Sequence, residues 1–134
     1  FGVAFSPDGA YLAVVHQSAP YLTVIDTADW SVVPGAPAMP GSGQTVAFSP
    51  DGAYLAVAHT SAPYLTVIDT TDWSVVPGAP AMPSVGFGVA FSPDGDRFAS
   101  CGGSQLVAYE RGYLIVPTYR DTLLGQVNSV AFSP

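Results

Sequence analysis

His16 and His59 stand 43 residues apart in matching segments, His16-Gln17-Ser18-Ala19-Pro20-Tyr21 and His59-Thr60-Ser61-Ala62-Pro63-Tyr64. Imidazoles can hold a metal when their rings converge. Zinc usually takes four ligands, however, and the third such segment carries Gly102 in the corresponding place. Equivalent atoms of stacked sheets lie about 10 Å apart, too far to share one ion unless the loops bend inward. The histidines therefore read as polar loop residues open to a partner, with no metal site and no cofactor expected. Asp26 with Asp29, and Asp69 with Asp72, pair carboxylates that could attract calcium. Calcium loops carry denser oxygen ligands, and an Asp at a turn more often accepts backbone amide protons. Cys101 is the only cysteine, which excludes an internal disulfide and any multi-thiolate metal site within one chain. With no cation nearer in sequence than Arg97 it reads as a buried, inert thiol. No Gly-x-Ser-x-Gly elbow, phosphate-binding glycine loop or His-Glu-x-x-His pair occurs, so no catalytic residue is assigned.

The elements that must position these residues recur. Val-Ala-Phe-Ser-Pro stands at 3–7, 46–50, 89–93 and 130–134, and units 3–45 and 46–88 differ at only seven aligned positions. The whole of 1–134 is thus one repeat array, with units at approximately 3–45, 46–88 and 89–129 and the start of a fourth at 130–134. Such units bury their apolar faces only by stacking on their neighbours. Within a unit, Gly2–Phe5 runs into Ser6-Pro7-Asp8-Gly9, whose composition suits a tight reversal into Tyr11–Val15. A polar, proline-ended connection leads to a third strand at Tyr21–Ile25, and Asp26–Asp29 turns the chain into a fourth at Trp30–Val33. Pro34, Pro37 and Pro40 then mark a connector, since proline donates no amide hydrogen to a sheet. No stretch has helical periodicity. Four antiparallel strands per roughly 43 residues match one blade of a β-propeller, so the fold class is all-β, with about three blades of a partial propeller.

Composition narrows the partners. The chain has 134 residues, 49% hydrophobic and only 10% charged, which calls for a large core and strands covered on both faces. The formal net charge is −7, with three arginines and no lysine, which argues against nucleic acid and against a polybasic membrane contact. No apolar run is long enough for a spanning helix, so no membrane insertion is expected. The chain opens at Phe1 inside one repeat and stops inside another, and is read as a piece of a longer array. Both ends carry the same first strand and so duplicate rather than complement each other; if the chain is complete, several copies would have to close a ring as a homo-oligomer.

The motif Val-Ala-Phe-Ser-Pro-Asp-Gly followed by an apolar strand resembles the opening of a WD-repeat or YVTN-type propeller blade. Thr23-Val24-Ile25-Asp26 stands where such blades carry a Trp-Asp strand end, and Phe91–Gly102 and Leu124–Val130 are similar to the family's turn, second strand and approach to the next blade. Ile25, Ile68 and Tyr109 replace the family's Trp, and Gly125-Gln126 replaces its Gly-His, so the family's hydrogen-bonded His-Ser-Trp-Asp set is not expected. The resemblance implies a rigid scaffold, and similar repetitive blades occur in surface, secreted and virion proteins. Two near-identical units supply equivalent surfaces suited to multivalent contact, which favours a non-catalytic module binding a protein or glycan. The alternative is a propeller-class enzyme, such as a lactonase-like hydrolase, with its site in the central channel or in other blades. Tyr11/Tyr54, Tyr21/Tyr64 and Trp30/Trp73 are expected mainly to fill blade interfaces. The candidate binding residues are His16, His59, Tyr21 and Tyr64, joined by Arg111 and Tyr113 of the divergent third unit.

Overall fold

The computed structural model describes residues 2–78, 81–82, 84–110 and 125–134, together with the backbone of 119–122. Its strands are β1 (Val3–Phe5), β2 (Tyr11–Val15), β3 (Leu22–Asp26), β4 (Ser31–Val32), β5 (Gly43–Phe48), β6 (Tyr54–His59), β7 (Leu65–Asp69), β8 (Gly88–Phe91), β9 (Arg97–Gly102), β10 (Gln105–Glu110) and β11 (Tyr119–Thr122). They form three antiparallel sheets in chain order, β1-β2-β3-β4, β5-β6-β7 and β8-β9-β10-β11. The second sheet has a single bridge, Ile68 to Val75, where the first has its fourth strand. The sheets stack through their first strands, with β5 packed on β1 and β2, and β8 on β5 and β6. Among the described residues no helix is long and apolar enough to cross a membrane.

Each reversal between the first two strands of a sheet is held by one repeated arrangement. The Ser6 hydroxyl donates to Asp8 Oδ1 at 2.6 Å and accepts the Tyr11 N–H at 2.9 Å, while the Ala10 N–H donates to the same carboxylate at 3.0 Å. Ser49 with Asp51 and Ser92 with Asp94 repeat it. Gly9, Gly52 and Gly95 close the turns at φ between 74° and 76°, a left-handed backbone that costs glycine nothing. Thr27 and Thr70 hydroxyls reach back to the carbonyls of Gly9 and Gly52, tying the end of each third strand to the turn.

Two expected strand starts are corrected. Tyr21 and Trp30 stand at φ 68° and 60°, as do Tyr64 and Trp73 at 68° and 61°, so all four are turn residues preceding the strand. Aromatic side chains suit a pleated sheet, but here the chain must reverse within a few residues, and the geometry of the turn overrides that preference.

Burial follows the stacking. One core cluster joins Ala13, Val15, Leu22 and Val24 of the first sheet to Val46, Leu55, Val57, Ile68 and Trp73 of the second. The next joins Ala56, Leu65, Val67 and Met82 to Val89, Phe98, Val107 and Tyr109 of the third. The second sheet thus has a leading face turned to the first sheet and a trailing face turned to the third. Tyr109, in the place of Ile25 and Ile68, stacks on Phe98 with ring centroids 4.7 Å apart and directs its hydroxyl at Met82 Sδ, 3.4 Å away.

Candidate partner-binding loops

The connections between second and third strands are built twice on one plan. The His16 N–H donates to the Tyr21 carbonyl at 3.1 Å and the Tyr21 N–H to the Ser18 carbonyl at 2.8 Å, closing a six-residue loop around a cis Ala19-Pro20 bond. In the second unit the same bonds run from His59 to Tyr64 at 3.0 Å and from Tyr64 to Ser61 at 2.7 Å, around a cis Ala62-Pro63 bond. The unit connectors are tied to these loops: the Met39 N–H donates to Pro20 O at 2.9 Å and the Met82 N–H to Pro63 O at 3.0 Å. Ser18, Ala19 and Pro20 project into solvent, as do Ala62 and Pro63.

The predicted binding residues occupy different depths in this frame. His16 is half-buried, its Nε2 3.0 Å from the Thr23 hydroxyl. His59 is fully buried. Its Nδ1 lies 2.8 Å from the Ser61 carbonyl and its Nε2 2.9 Å from the Thr66 hydroxyl. A carbonyl only accepts, so Nδ1 carries the proton and Nε2 accepts from Thr66. Burial pushes the His59 pKa below its ordinary value, against an opposing effect of the Ser61 bond. His59 thus lies inside the sheet stack and braces the loop from beneath. Tyr21 and Tyr64 are half-buried, packed against the first and second core clusters respectively. Arg111 and Tyr113 lie outside the described residues.

Sequence reading missed the segment that joins the two loops. Gly41-Ser42-Gly43 is wedged between them: the Gly43 N–H donates to His16 O at 3.3 Å, the Ser42 hydroxyl to Gln17 O at 3.4 Å, and Ser42 O accepts the Thr60 N–H at 3.0 Å. A side chain at Gly41 would collide with Ser61, and one at Gly43 with Val15. At the next junction the Gly86 N–H donates to His59 O at 3.2 Å, and a Cβ there would stand 2.5 Å from Tyr64 O. The signal was present, since Gly43 recurs as Gly86 although all four other positions of 41–45 and 84–88 differ. The loops and connectors form one continuous surface, extended to the third sheet where the Ser84 hydroxyl donates to Gly102 O at 3.0 Å.

The opposite end of the sheets carries a cleft of about 200 Å³ lined by Ser6, Pro7, Asp8, Tyr11, Asp51, Gly52 and Thr70. The Ser6 hydroxyl, then the Ala10 amide, hold the Asp8 carboxyl below the usual carboxylate range. Asp29 and Asp72 are lowered in the same way by Ser31 and Ser74, whose hydroxyl and amide both donate to them. Asp26 and Asp69 accept the amides of Ala28 and Thr71. The carboxylates are thus turn acceptors, and among the described residues no group of three His, Cys, Asp or Glu side chains converges as a metal site. Cys101 is fully buried, and desolvation raises its thiol pKa.

Residues 84–107 match the family model of the WD domain, G-beta repeat. The chain superimposes on Kuenenia stuttgartiensis hydrazine synthase with a TM-score of 0.86 at 23% identity, covering 100% of this chain and 39% of that one. On the structure of U3-55K the TM-score is 0.82 at 13% identity, covering 97% of this chain and 41% of that one. The chain therefore spans well under half the length of either protein, and at such identities the likeness concerns the fold. No curated protein matches the sequence. A chain of stacked, antiparallel Ser-Pro-Asp-Gly blades with these likenesses is a partial β-propeller that resembles the WD-repeat proteins.

Proposed function

We propose that this chain is a non-catalytic scaffold whose paired loops at 16–21 and 59–64 dock a protein partner. The observation that carries this reading is the duplication of the loop framework: the same backbone hydrogen bonds present Ser18-Ala19-Pro20 and Ala62-Pro63 to solvent side by side. Loops fixed in this way lose little freedom on binding, and two equivalent contacts on one rigid body raise the avidity for an extended or repeated partner. A protein partner fits better than a glycan, because the Tyr21 and Tyr64 rings pack on the cores instead of standing out as a stacking platform. His16, at the base of the first loop, borders the contact, while His59 supports the second from within. The WD-repeat likeness agrees with a scaffold role.

The test replaces Pro20 and Pro63 together by Ala, alongside a control change at Asp29 and Asp72 on the opposite end of the sheets, and compares the proteins each immobilised variant retains. The loop variant is expected to lose binders that the unmodified chain and the control both keep. Equal retention by all three would contradict the reading.

A further inference from the structure

His59 ends β6 just before the loop at 60–64, in the sheet that has a neighbour on either side. Its ring is fully buried and both nitrogens are engaged: the Nδ1–H donates to the Ser61 carbonyl at 2.8 Å, and Nε2 accepts from the Thr66 hydroxyl at 2.9 Å. The Ser61 carbonyl also accepts the Tyr64 N–H at 2.7 Å, so one oxygen gathers the ring and the far end of the loop. The imidazole thus pins a loop that reaches solvent at Ala62 and Pro63 to a buried residue of β7.

The third unit shows what this pair serves. There β9 and β10 are joined by Gly103 and Ser104 alone, and Gly102 pairs with Gln105. Gly102 takes the place of His59, and Val107, opposite Ser100, takes that of Thr66, opposite Val57. Histidine and threonine occur together in the two units with the long loop, as His16 with Thr23 and His59 with Thr66, and both are gone where the loop is short. The third sheet stacks without them, with Val107 fully buried in the core it shares with the second. The pair therefore belongs to the loop and not to the stacking.

A proton on Nε2 undoes this arrangement. Both nitrogens then donate, and the Thr66 hydroxyl has to turn its own hydrogen elsewhere. The charge also meets no counterion: the segments around the ring, 16–23, 41–45, 59–66, 84–88 and 100–104, hold no Asp, Glu, Lys or Arg, and their titratable groups are His16, Tyr21, Tyr64 and Cys101. A buried charge without a partner is costly, and burial accordingly holds the His59 pKa below its ordinary value. Lifting the loop returns the ring to water. The backbone bonds that go with it are those of the Thr60 N–H to Ser42 O, the Met82 N–H to Pro63 O and the Gly86 N–H to His59 O.

We propose that the His59–Thr66 pair latches the loop at 59–64, and that proton uptake by His59 releases this loop and its ties to the connectors while the sheet beneath keeps its pairing. For its consequence the proposal rests on the docking reading above: mild acid withdraws one of the two contact loops. A released ring takes up its proton near pH 6.5 and the latched ring only at lower pH. Release therefore grows about tenfold per pH unit below that value, until the latched ring itself is protonated.

The experiment is amide hydrogen exchange, followed by NMR between about pH 7.5 and pH 5, on the unmodified chain, His59→Gln and His16→Gln. The Thr60 and Tyr64 amides, bonded to Ser42 O and Ser61 O, report the loop; the Asp69 and Val76 amides, bonded to Ser74 O and Val67 O, report the rest of the sheet. A glutamine amide can donate to one partner and accept from the other without titrating. In the unmodified chain the protection of Thr60 and Tyr64, corrected for intrinsic exchange, is expected to fall about tenfold per pH unit on first passing below about pH 6.5, with Asp69 and Val76 level. His59→Gln is expected to abolish that fall. His16→Gln, which leaves His59 as the one imidazole of the chain, is expected to preserve it and decides the matter if His59→Gln does not fold. Loop protection independent of pH in the unmodified chain, an equal fall in a folded His59→Gln, loss of the fall in His16→Gln, or Asp69 and Val76 losing protection in step with the loop would overturn the proposal. Exchange reads the chain's own amides, so failure of the latch and failure of the docking reading are separate results.

Discussion

His59 shows how one side chain joins loop, sheet and stack. Its imidazole is buried, with Nδ1 bound to the Ser61 carbonyl and Nε2 to the Thr66 hydroxyl, and desolvation favours the neutral ring. The unfolded chain takes up this proton near pH 6.5, whereas the folded chain does so only at lower pH. The contribution of His59 to stability is therefore complete above about pH 6.5 and is lost as the pH falls through the folded value. Urea unfolding followed between about pH 8 and pH 5 is expected to show a smaller decline for His59→Gln than for the unmodified chain; parallel declines would show that this ring is not the group being titrated. The burial of His59 was not legible in sequence. His16 sits in an all but identical segment and remains half-buried, because no sheet precedes the first one among the described residues. The residue alone does not decide its depth; the neighbouring sheet does.

The Ser-Pro-Asp-Gly turn is the element on which sequence and structure agree most closely, since every bond that holds it is local. Ser49 is fully buried, donates to Asp51 and accepts from the Tyr54 N–H, so its loss leaves an amide and a carboxylate each short of a partner. Ser49→Ala is expected to lower stability by about 1–2 kcal/mol, measured by denaturant titration, with the strand order unchanged. A change below a few tenths of a kcal/mol would mean that water replaces the hydroxyl without cost. The second strands and the proline-marked connectors were equally legible from composition. The starts of the third and fourth strands were not: Tyr21 and Trp30 carry side chains that favour strands, yet their backbones are left-handed turns. Nor did the glycine connector reveal itself by turn chemistry, because Gly41 and Gly43 are needed for their closeness to Ser61 and Val15, which are distant in sequence.

For the molecule as a whole, repetition carries over into stacking, so that the same residue is core in one sheet and surface in another according to whether a sheet lies before it. The repeat period made the architecture legible; the paired loops and their shared connector required the three-dimensional structure. Trp30 and Trp73 compare the two situations within one chain, 65% and 8% exposed respectively. The most direct measurement is iodide quenching of two single-tryptophan variants of residues 1–134, Trp73→Phe and Trp30→Asn. Blue-shifted, protected emission from Trp73 and red-shifted, readily quenched emission from Trp30 is the predicted result, whereas equal accessibility of the two rings would contradict the stacking of the second sheet on the first.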